Sequence, residues 1–415
     1  PSDQYVVEGR PVILSVAASG SATVSYQWYQ DGNAIPDATG NAYSIPAADP
    51  TNSGSYYVNI SNPAGSTNSH TATLTVFRDT IPPAVTNVMA GGSKIVLTFS
   101  EPLDAASAGN SANYTVSGGI SVSGVTVNSA NQVTLTTSSP LTLGITYSLA
   151  VNGVDDFYGH AANVTYPFVP TIIIDGNVDD WQGVTPVYSG PSGSDGAADF
   201  KDIYIYNDAD YYYFRVTLWH DIPAANGEFP DYVDMFYDTD NDSTTGYAAI
   251  GSDLLEQSGF FYQEKNGGFN DGPAINGMGY LAAPTVPATS FPADFEFRYS
   301  RHATFADGTS VFPTNVMNFL WEGQNPGFEV LNIAPSDGGL ISYTNIASVS
   351  APALPLGQLA IYPLTNGNAA LVWDAHATLQ CSSSLVGGSW TNLPAATNPY
   401  IVPSSGNQQF FRLAQ

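Results

Sequence analysis

The chain has 415 residues and a formal net charge of −27, because only 9 Lys and Arg stand against 36 Asp and Glu. Nucleic-acid binding is excluded in practice, since neutralising phosphates requires clustered Lys and Arg, and binding to anionic membranes is disfavoured for the same reason. The length predicts about two to four domains, and the 43% hydrophobic residues suffice for packed cores, so the acidity does not indicate disorder.

The chain has a single cysteine, Cys381, which excludes a disulfide framework and a thiolate zinc site. It lies in an apolar, alternating run without a basic neighbour, so we expect a small buried hydrophobic residue. The sequence predicts no transmembrane segment, and we expect it to begin after a processed signal or inside a longer precursor. Few lysines and many small polar residues favour an extracellular or cell-surface location.

An all-β fold is predicted, because short runs of Val, Ile, Thr, Tyr and Phe alternate with clusters of Gly, Pro, Asn and Ser. Proline-rich breaks interrupt this pattern at residues 78–83, 169–170 and 351–355. Such breaks are typical of stiff linkers between domains. They divide the chain into four predicted domains: residues 1–77, 78–170, 171–350 and 351–415.

The first segment has the strand spacing of a small sandwich built around a tryptophan. Strands are predicted at residues 12–16, 26–29 and 53–58. The third of these begins with the sequence Ser-Gly-Ser-Tyr-Tyr. This pattern resembles an immunoglobulin-like domain, in which the tyrosine run forms the corner before strand F. The resemblance implies that Trp28 packs on Val16 and Val58, which stand where disulfide-bearing domains have cysteines. Trp28 is therefore predicted to be a core residue rather than a sugar platform.

The second segment resembles a different, bacterial immunoglobulin-like type found in surface-layer and secreted proteins. The stretches that carry this resemblance are residues 79–83, 97–104, 113–116 and 151–156. Such domains usually act as spacers. Carboxylate pairs or metal sites are conceivable at Glu101 with Asp104 and at Asp155 with Asp156. Their positions between strand and turn favour capping and solvation instead.

The third segment holds 25 of the 36 acidic residues and 5 of the 9 basic ones. It resembles the carbohydrate-binding module family 9 and related DOMON-like sandwiches over its full length. The blocks that carry this resemblance are residues 174–181, 202–216 and 236–247. The resemblance implies a β-sandwich larger than the first two, with a calcium loop and a sugar-binding surface.

The calcium loop is predicted at Asp238, Asp240 and Asp242, followed by Asp253. Alternate carboxylates in a tight turn direct several oxygens to one centre, and Ca²⁺ takes about 6–8 such ligands. The alternative is a solvated Asp-rich hairpin turn. We expect a structural Ca²⁺, because three carboxylates within five residues repel one another unless a cation offsets them. A second acidic group is better explained by a turn before a strand: Asp175, Asp179 and Asp180.

Sugar recognition requires flat aromatic faces beside polar side chains. Trp219 and Trp321 each end an apolar run, and Glu322 follows the second of them. Tyr262 is a further candidate beside Gln and Glu residues. Core packing is an equally good explanation for either tryptophan, and it is the better one for Trp181.

Catalysis is not predicted. The chain has no Gly-x-Ser-x-Gly elbow, no His-Glu-x-x-His helix and no phosphate-binding glycine loop before a helix. Carboxylate pairs are too abundant in so acidic a chain to indicate glycosidase chemistry. No catalytic residue is therefore assigned.

The last segment has five short β runs and resembles the small module that closes many large secreted bacterial proteins. Together the four segments predict a non-catalytic extracellular protein that binds polysaccharide through a calcium-stabilised sandwich on immunoglobulin-like spacers. The alternative is a structural subunit of a self-assembling filament or adhesive fibre, because tandem sandwiches can form semi-rigid rods. The expected partners are therefore extracellular polysaccharide or further copies of the chain.

Overall fold

A computed structural model describes most of the chain, and the description below is limited to these residues: 1–20, 23–193, 198–221, 233–247, 250–257, 259–264, 268–269, 275–283, 293–325, 329–350, 352–355, 357–364, 367–373, 377–385, 388–393, 398–403 and 408–414. The fold is all-β, as predicted. The helical elements are α1 (Ala105–Ala108) and short 3₁₀ turns at Pro50–Asn52, Ser111–Asn113 and Asp179–Trp181. Among the described residues, no helix is long and apolar enough to cross a membrane.

Domain 1 (residues 1–77) is a sandwich. Its strands are β1 (Gln4–Val7), β2 (Val12–Ser15), β3 (Ser25–Gln30), β4 (Asn33–Ala34), β5 (Ala42–Ile45), β6 (Gly54–Asn62), β7 (Gly65–Asn68) and β8 (Ala72–Phe77). The larger sheet has the order β1-β8-β6-β3-β4, with β7 paired to β6, and β2 pairs with β5 in the second sheet. Strand alternation buries Val12 and Leu14 in the core and leaves Ile13 exposed.

The core of domain 1 confirms the prediction for its tryptophan. Trp28 and Val58 are fully buried, and Val16 packs against the same cluster. The Tyr56 hydroxyl donates to the Asn52 carbonyl oxygen at 2.7 Å, which is the bond of a tyrosine corner. An aliphatic pair therefore replaces the inter-sheet disulfide.

Domain 2 (residues 85–168) consists of two sheets. Its strands are β9 (Val85–Gly91), β10 (Lys94–Phe99), β11 (Tyr114–Val116), β12 (Val122–Ser129), β13 (Gln132–Thr137), β14 (Tyr147–Asp155) and β15 (Ala161–Phe168). The sheet orders are β12-β13-β10-β9 and β11-β14-β15. Asp104 caps α1 as predicted, because its side chain accepts from the Ser107 N–H at 2.8 Å.

Domain 3 (residues 171–346) is the largest sandwich. Its strands are β16 (Pro186–Ser189), β17 (Phe200–Asn207), β18 (Tyr211–Leu218), β19 (Val233–Asp238), β20 (Leu254–Gln257), β21 (Phe260–Gln263), β22 (Ile275–Asn276), β23 (Leu281–Ala283), β24 (Asp294–Ser300), β25 (Thr304–Phe305), β26 (Val316–Gln324), β27 (Val330–Ala334) and β28 (Ile341–Thr344). One sheet has the order β16-β17-β18-β24-β23, and the other the order β21-β20-β19-β26-β27 with β28 also on β26. Aromatic rings fill the space between them; for example, the Phe214 and Phe297 centroids lie 4.8 Å apart.

The C-terminal module (residues 359–414) has two small sheets. Its strands are β29 (Leu359–Pro363), β30 (Ala369–Trp373), β31 (Thr378–Ser382), β32 (Thr391–Asn392), β33 (Tyr400–Val402) and β34 (Phe410–Ala414). The sheet orders are β29-β30-β33 and β32-β31-β34. Cys381, predicted to be buried, is only half-buried, because its strand β31 lies between two short strands of a small sheet.

Domains 2 and 3 are joined by direct polar contacts at the predicted second acidic group. Lys94 Nζ lies 2.8 Å from Asp175 Oδ2, and the Ser93 N–H donates to Asp179 Oδ2 at 3.1 Å. Asp180 accepts from the Ile173 N–H at 2.6 Å. These carboxylates hold the turn that enters domain 3, in agreement with the structural interpretation of this group.

Candidate functional site

The acidic loop after β19 brings three of the four predicted calcium ligands together. Carboxylate oxygens of Asp238, Asp240 and Asp253 all lie within 4.8 Å of one another. Asp238 ends β19, and Asp253 immediately precedes β20, the strand that pairs with β19. The hairpin therefore places residues 13–15 positions apart in sequence around one centre.

Burial gives these carboxylates an unfavourable environment in the absence of a cation. Desolvation raises the pKa of Asp238 and of Asp253, and the nearby charge of Asp240 adds to both shifts. Hydrogen bonds oppose the shifts: Asn318 Nδ2 donates to Asp238 at 3.0 Å, and the Thr239 N–H donates to Asp253 at 2.9 Å. The group is thus tightly held within the protein and still concentrates negative charge.

Asp242 is the predicted ligand that does not join this group. Its side chain is exposed and accepts from the Thr244 N–H at 3.0 Å and the Thr244 hydroxyl at 2.6 Å. These two bonds lower the pKa of Asp242. Its backbone N–H instead donates to Asp240 Oδ1 at 2.8 Å. Asp242 therefore shapes the turn and lies outside the group formed by the other three carboxylates.

Two glycines allow the loop to fold closely over itself. Gly251 has φ +67°, and a Cβ there would lie 2.5 Å from the Ser243 Cα. A Cβ on Gly246, at φ +81°, would lie 2.5 Å from the Gly251 carbonyl oxygen. Any side chain at either position would push the two halves of the loop apart.

Trp321, a candidate sugar platform from the sequence, is a core residue in the structure. Its side chain is 0% exposed and lies among the core rings of domain 3, with Phe319 at 5.3 Å and Phe214 at 6.0 Å between centroids. Strand β26 is buried on both faces, so its apolar run does not show which side chains face outwards. The buried indole has no face available for a ligand.

Trp219 does lie at the surface, with 43% of its side chain exposed. It follows β18, where its N–H donates to the Asp199 carbonyl oxygen at 3.0 Å. The indole Nε1–H donates to the Gly190 carbonyl oxygen at 3.2 Å, and Lys201 Nζ lies 5.2 Å from the ring centroid. The ring is therefore held in one orientation beside a cationic group.

Tyr262 and Glu322 lie on the second sheet of domain 3, whereas Trp219 follows a strand of the first sheet. Register places Tyr262 opposite Leu255 on β20, and Glu322 opposite Asp234 on β19. Strands β21 and β26 are three strand spacings apart, or about 14 Å. Burial raises the pKa of Glu322, and the charge of Asp234 adds to the effect. The four predicted sugar-binding residues do not form a single site.

A buried carboxylate group between domains 1 and 2 was not predicted. It consists of Glu8, Asp79, Glu101 and Asp156, each at least nine-tenths buried. Asp79, Asp156 and His160 have potential ligand atoms within 4.8 Å of one another. The expected solvation of Glu101 and Asp156 is therefore wrong, whereas the expected capping is confirmed for Asp156. The group joins a strand end, a linker and a hairpin far apart in sequence, so no local pattern could reveal it.

Capping explains much of this second group. Asp156 Oδ1 accepts from the Tyr158 N–H at 2.7 Å and the His160 N–H at 2.9 Å, and its Oδ2 lies 2.8 Å from His160 Nδ1. Asp79 accepts from the Ile81 N–H at 3.0 Å. Glu101 differs: burial, with the charges of Asp79 and Asp156, raises its pKa to about 9.

Known families match the N-terminal part of the chain. Residues 1–76 match the family described as immunoglobulin domain, and residues 70–169 match the family described as bacterial Ig-like domain. A 78-residue stretch is 35% identical to a decoration protein of Escherichia phage T5, covering 19% of this chain and 48% of that protein. The chain thus spans about half the length of this relative.

A second curated relative is the mucosa-associated lymphoid tissue lymphoma translocation protein 1 homolog of Mus musculus. It is 31% identical over 78 residues, which cover 19% of this chain and 9% of that protein. Among solved structures, Sidekick-1 immunoglobulin domains 1–4 align over 100% of this chain and 96% of that chain, with 11% identity. The TM-score of 0.18 is too low to compare domain arrangements. From the family matches and the two sandwiches, residues 1–169 are immunoglobulin-like domains in tandem, the second of the bacterial type.

Proposed function

We propose that this chain is a non-catalytic extracellular or cell-surface protein, in which two immunoglobulin-like spacers carry domain 3 as a polysaccharide-binding sandwich. The tandem immunoglobulin-like domains support a structural or surface role. The polar contacts between domains 2 and 3 support presentation of domain 3 in a fixed orientation. The resemblance to family 9 carbohydrate-binding modules supplies the proposed ligand class.

The observation that carries the binding proposal is the exposed indole of Trp219. Its hydrogen bond to Gly190 holds the ring in place, so a stacked ligand would not have to order it. Lys201 next to the ring can donate hydrogen bonds to hydroxyl or acidic groups of a sugar. A single platform of this kind suits weak binding to a repeating chain rather than tight capture of one sugar.

The test is affinity electrophoresis of the full chain in gels that contain neutral or acidic polysaccharides. Trp219→Ala is expected to abolish the retardation seen with the wild type, while the melting temperature changes little. Phe260→Ala is the matched control, because Phe260 is an exposed aromatic residue (55%) on the other sheet of domain 3. Equal retardation of wild type and Trp219→Ala would exclude this site.

Calcium at the acidic loop is part of the same proposal. The donor set fits, because Asp238, Asp240 and Asp253 supply the carboxylate oxygens that Ca²⁺ prefers. Burial, with the nearby charge of Asp240, raises the pKa of Asp238 and of Asp253, and a bound cation would offset both effects. Its role would be to hold the β19–β20 hairpin closed, with no part in a reaction.

Melting curves with Ca²⁺ and with a chelator test this role. Ca²⁺ is expected to raise the melting temperature of the wild type and to have no effect on Asp240→Asn. Asp242→Asn is the matched control, because Asp242 lies in the same loop but its side chain binds Thr244. If chelator and Ca²⁺ give the same wild-type curve, the loop is held by hydrogen bonds alone.

The second candidate function is that of a structural subunit in an extracellular assembly, with copies of itself as partners. The similarity to the decoration protein of Escherichia phage T5 favours it. Sedimentation and electron microscopy of the full chain over a range of concentrations separate the two candidates. Fibres or regular oligomers would support assembly, and a monodisperse monomer that binds polysaccharide would support the first proposal alone.

A further inference from the structure

The C-terminal module packs against the junction of domains 1 and 2, although domain 3 lies between them in sequence. The connecting segment is described at residues 345–350, 352–355 and 357–358. It starts in domain 3, where Asn207 accepts from the Ile346 N–H at 2.9 Å. Leu354 then packs against the core of domain 2. Pro355 and Gly357 line a cavity together with Pro82 of the domain 1–2 linker. Leu354, Pro355 and Gly357 therefore lie beside domain 2 and the linker that precedes it.

Tyr362 on β29 makes the central polar contact with the linker. Its hydroxyl donates to the Arg78 carbonyl oxygen at 3.0 Å and lies 2.7 Å from Thr80 Oγ1, from which it accepts. Its ring stacks on Phe77, the last residue of β8, with 5.1 Å between centroids. One side chain thus contacts the end of domain 1 and the linker that leaves it.

An apolar contact lies beside these bonds. Val372 on β30 is buried in a cluster with Val7 of domain 1 and Ile81 of the linker. Val372 faces away from the module's own core, to which its neighbours Leu371 and Trp373 belong. Val372 is therefore a docking residue, and its burial depends on the junction.

The contact is incompletely packed. A cavity of about 360 Å³ lies within it and is lined by Arg10 and Glu101 on one side and by Trp373 on the other. Polar, loosely packed surfaces are typical of domain contacts within a chain that open and close. The hydrogen bonds and the apolar cluster favour the closed state, and the cavity limits how strongly they do so.

We propose that the C-terminal module is a reversible brace that fixes the relative orientation of the two immunoglobulin-like domains by binding the linker between them. The module holds the linker through Arg78 and Thr80, and domain 1 through Phe77 and Val7. Release of the module removes its contacts with the linker backbone, so that only the direct contacts between domains 1 and 2 oppose a change of their angle. This role is independent of sugar binding by domain 3.

Trypsin provides the test, because Arg78 is one of only 9 Lys and Arg residues and lies in the braced linker. Cleavage requires several residues of extended backbone, so its rate after Arg78 reports the open fraction when opening is fast relative to cleavage. Tyr362→Phe removes both hydrogen bonds and keeps the ring; we expect about tenfold faster cleavage after Arg78. Val372→Asp is expected to accelerate it further.

Two controls are built into the chain. Ile361→Asp changes an exposed residue (66%) between Ala360 and Tyr362. Trypsin is expected to cleave this variant after Arg78 at the wild-type rate. Arg412 is the single basic residue of the module and lies in β34, so cleavage there reports unfolding of the module itself. Acceleration at Arg78 with Arg412 protected supports the brace. Unchanged cleavage at Arg78 in both Tyr362→Phe and Val372→Asp would overturn it.

Discussion

The Trp181 indole Nε1–H donates to Glu296 Oε2 at 2.8 Å inside domain 3, across 115 residues of sequence. The other oxygen, Oε1, accepts from the backbone N–H groups of Asp175 and Gly176, each at 2.8 Å. Glu296 is fully buried on β24, and desolvation raises its pKa while these three bonds oppose the shift. One carboxylate therefore fixes the turn that enters domain 3 to the sheet beneath it.

Glu296→Gln is predicted to destabilise domain 3, because the amide oxygen can keep the two backbone donors while its NH₂ group faces the indole N–H. An unsatisfied buried donor costs about 1–3 kcal/mol, which sets the expected loss in unfolding free energy. Urea unfolding followed by tryptophan fluorescence measures it. Glu329→Gln, at an exposed site, is the control and should unfold like the wild type. Equal stability of both variants would mean that the turn is held by other contacts.

Trp321→Ala is predicted to cost about 3–5 kcal/mol of unfolding free energy, as expected for loss of a large buried ring. Trp219→Ala should cost about 1 kcal/mol or less, because its ring is partly exposed and makes one hydrogen bond. Chemical denaturation of the two variants measures both losses of unfolding free energy. Similar losses at both sites would contradict the assignment of one to the core and the other to the surface.

A comparison of Trp28 in domain 1 with Trp321 in domain 3 shows what the sequence can predict. Trp28 and Tyr56 were predicted correctly, because the spacing of polar and apolar residues around them is characteristic of one sandwich type. For Trp321 the sequence leaves core packing and sugar binding equally open, because a strand buried on both faces has no alternation to indicate direction. The acidic loop was only partly predicted: spacing indicated a cluster, but the turn conformation decided that Asp242 points away.

Contacts between distant segments were beyond prediction altogether. Capping and solvation are what the local sequence of Glu101 and Asp156 predicts, since it is that of strand ends and turns. Both are buried because domain 1 and the linker cover them, bringing Asp79 against Glu101. Likewise, no pattern in residues 351–415 indicates that Tyr362 binds a linker more than 280 residues earlier. Local patterns predict elements and their cores, whereas domain contacts depend on shape.

Gly251→Ala is predicted to open the acidic loop, because a Cβ there would lie 2.5 Å from the Ser243 Cα. Gly277→Ala is the matched control: its φ of +70° is close to the +67° of Gly251, but nothing lies within 4 Å of its Cβ position. The control should therefore lower the free energy of unfolding by about 1–2 kcal/mol, the cost of a left-handed backbone alone. Gly251→Ala should lower it clearly more. Thermal melting measures both. Equal losses would show that backbone strain, rather than the close crossing, dominates.

Stability is predicted to fall as pH rises from about 4.5 towards 9, because Glu101 keeps its proton in the folded state while the unfolded chain releases it. Its pKa is raised to about 9 by burial and by the charges of Asp79 and Asp156. A raised carboxyl pKa means that the native state binds more protons, so the unfolding free energy decreases through this window. Glu101→Gln mimics the protonated side chain and should flatten the decrease. Melting temperatures of both proteins at about pH 5 and about pH 9 measure the difference; parallel losses in both would show that Glu101 is ionised in the folded protein.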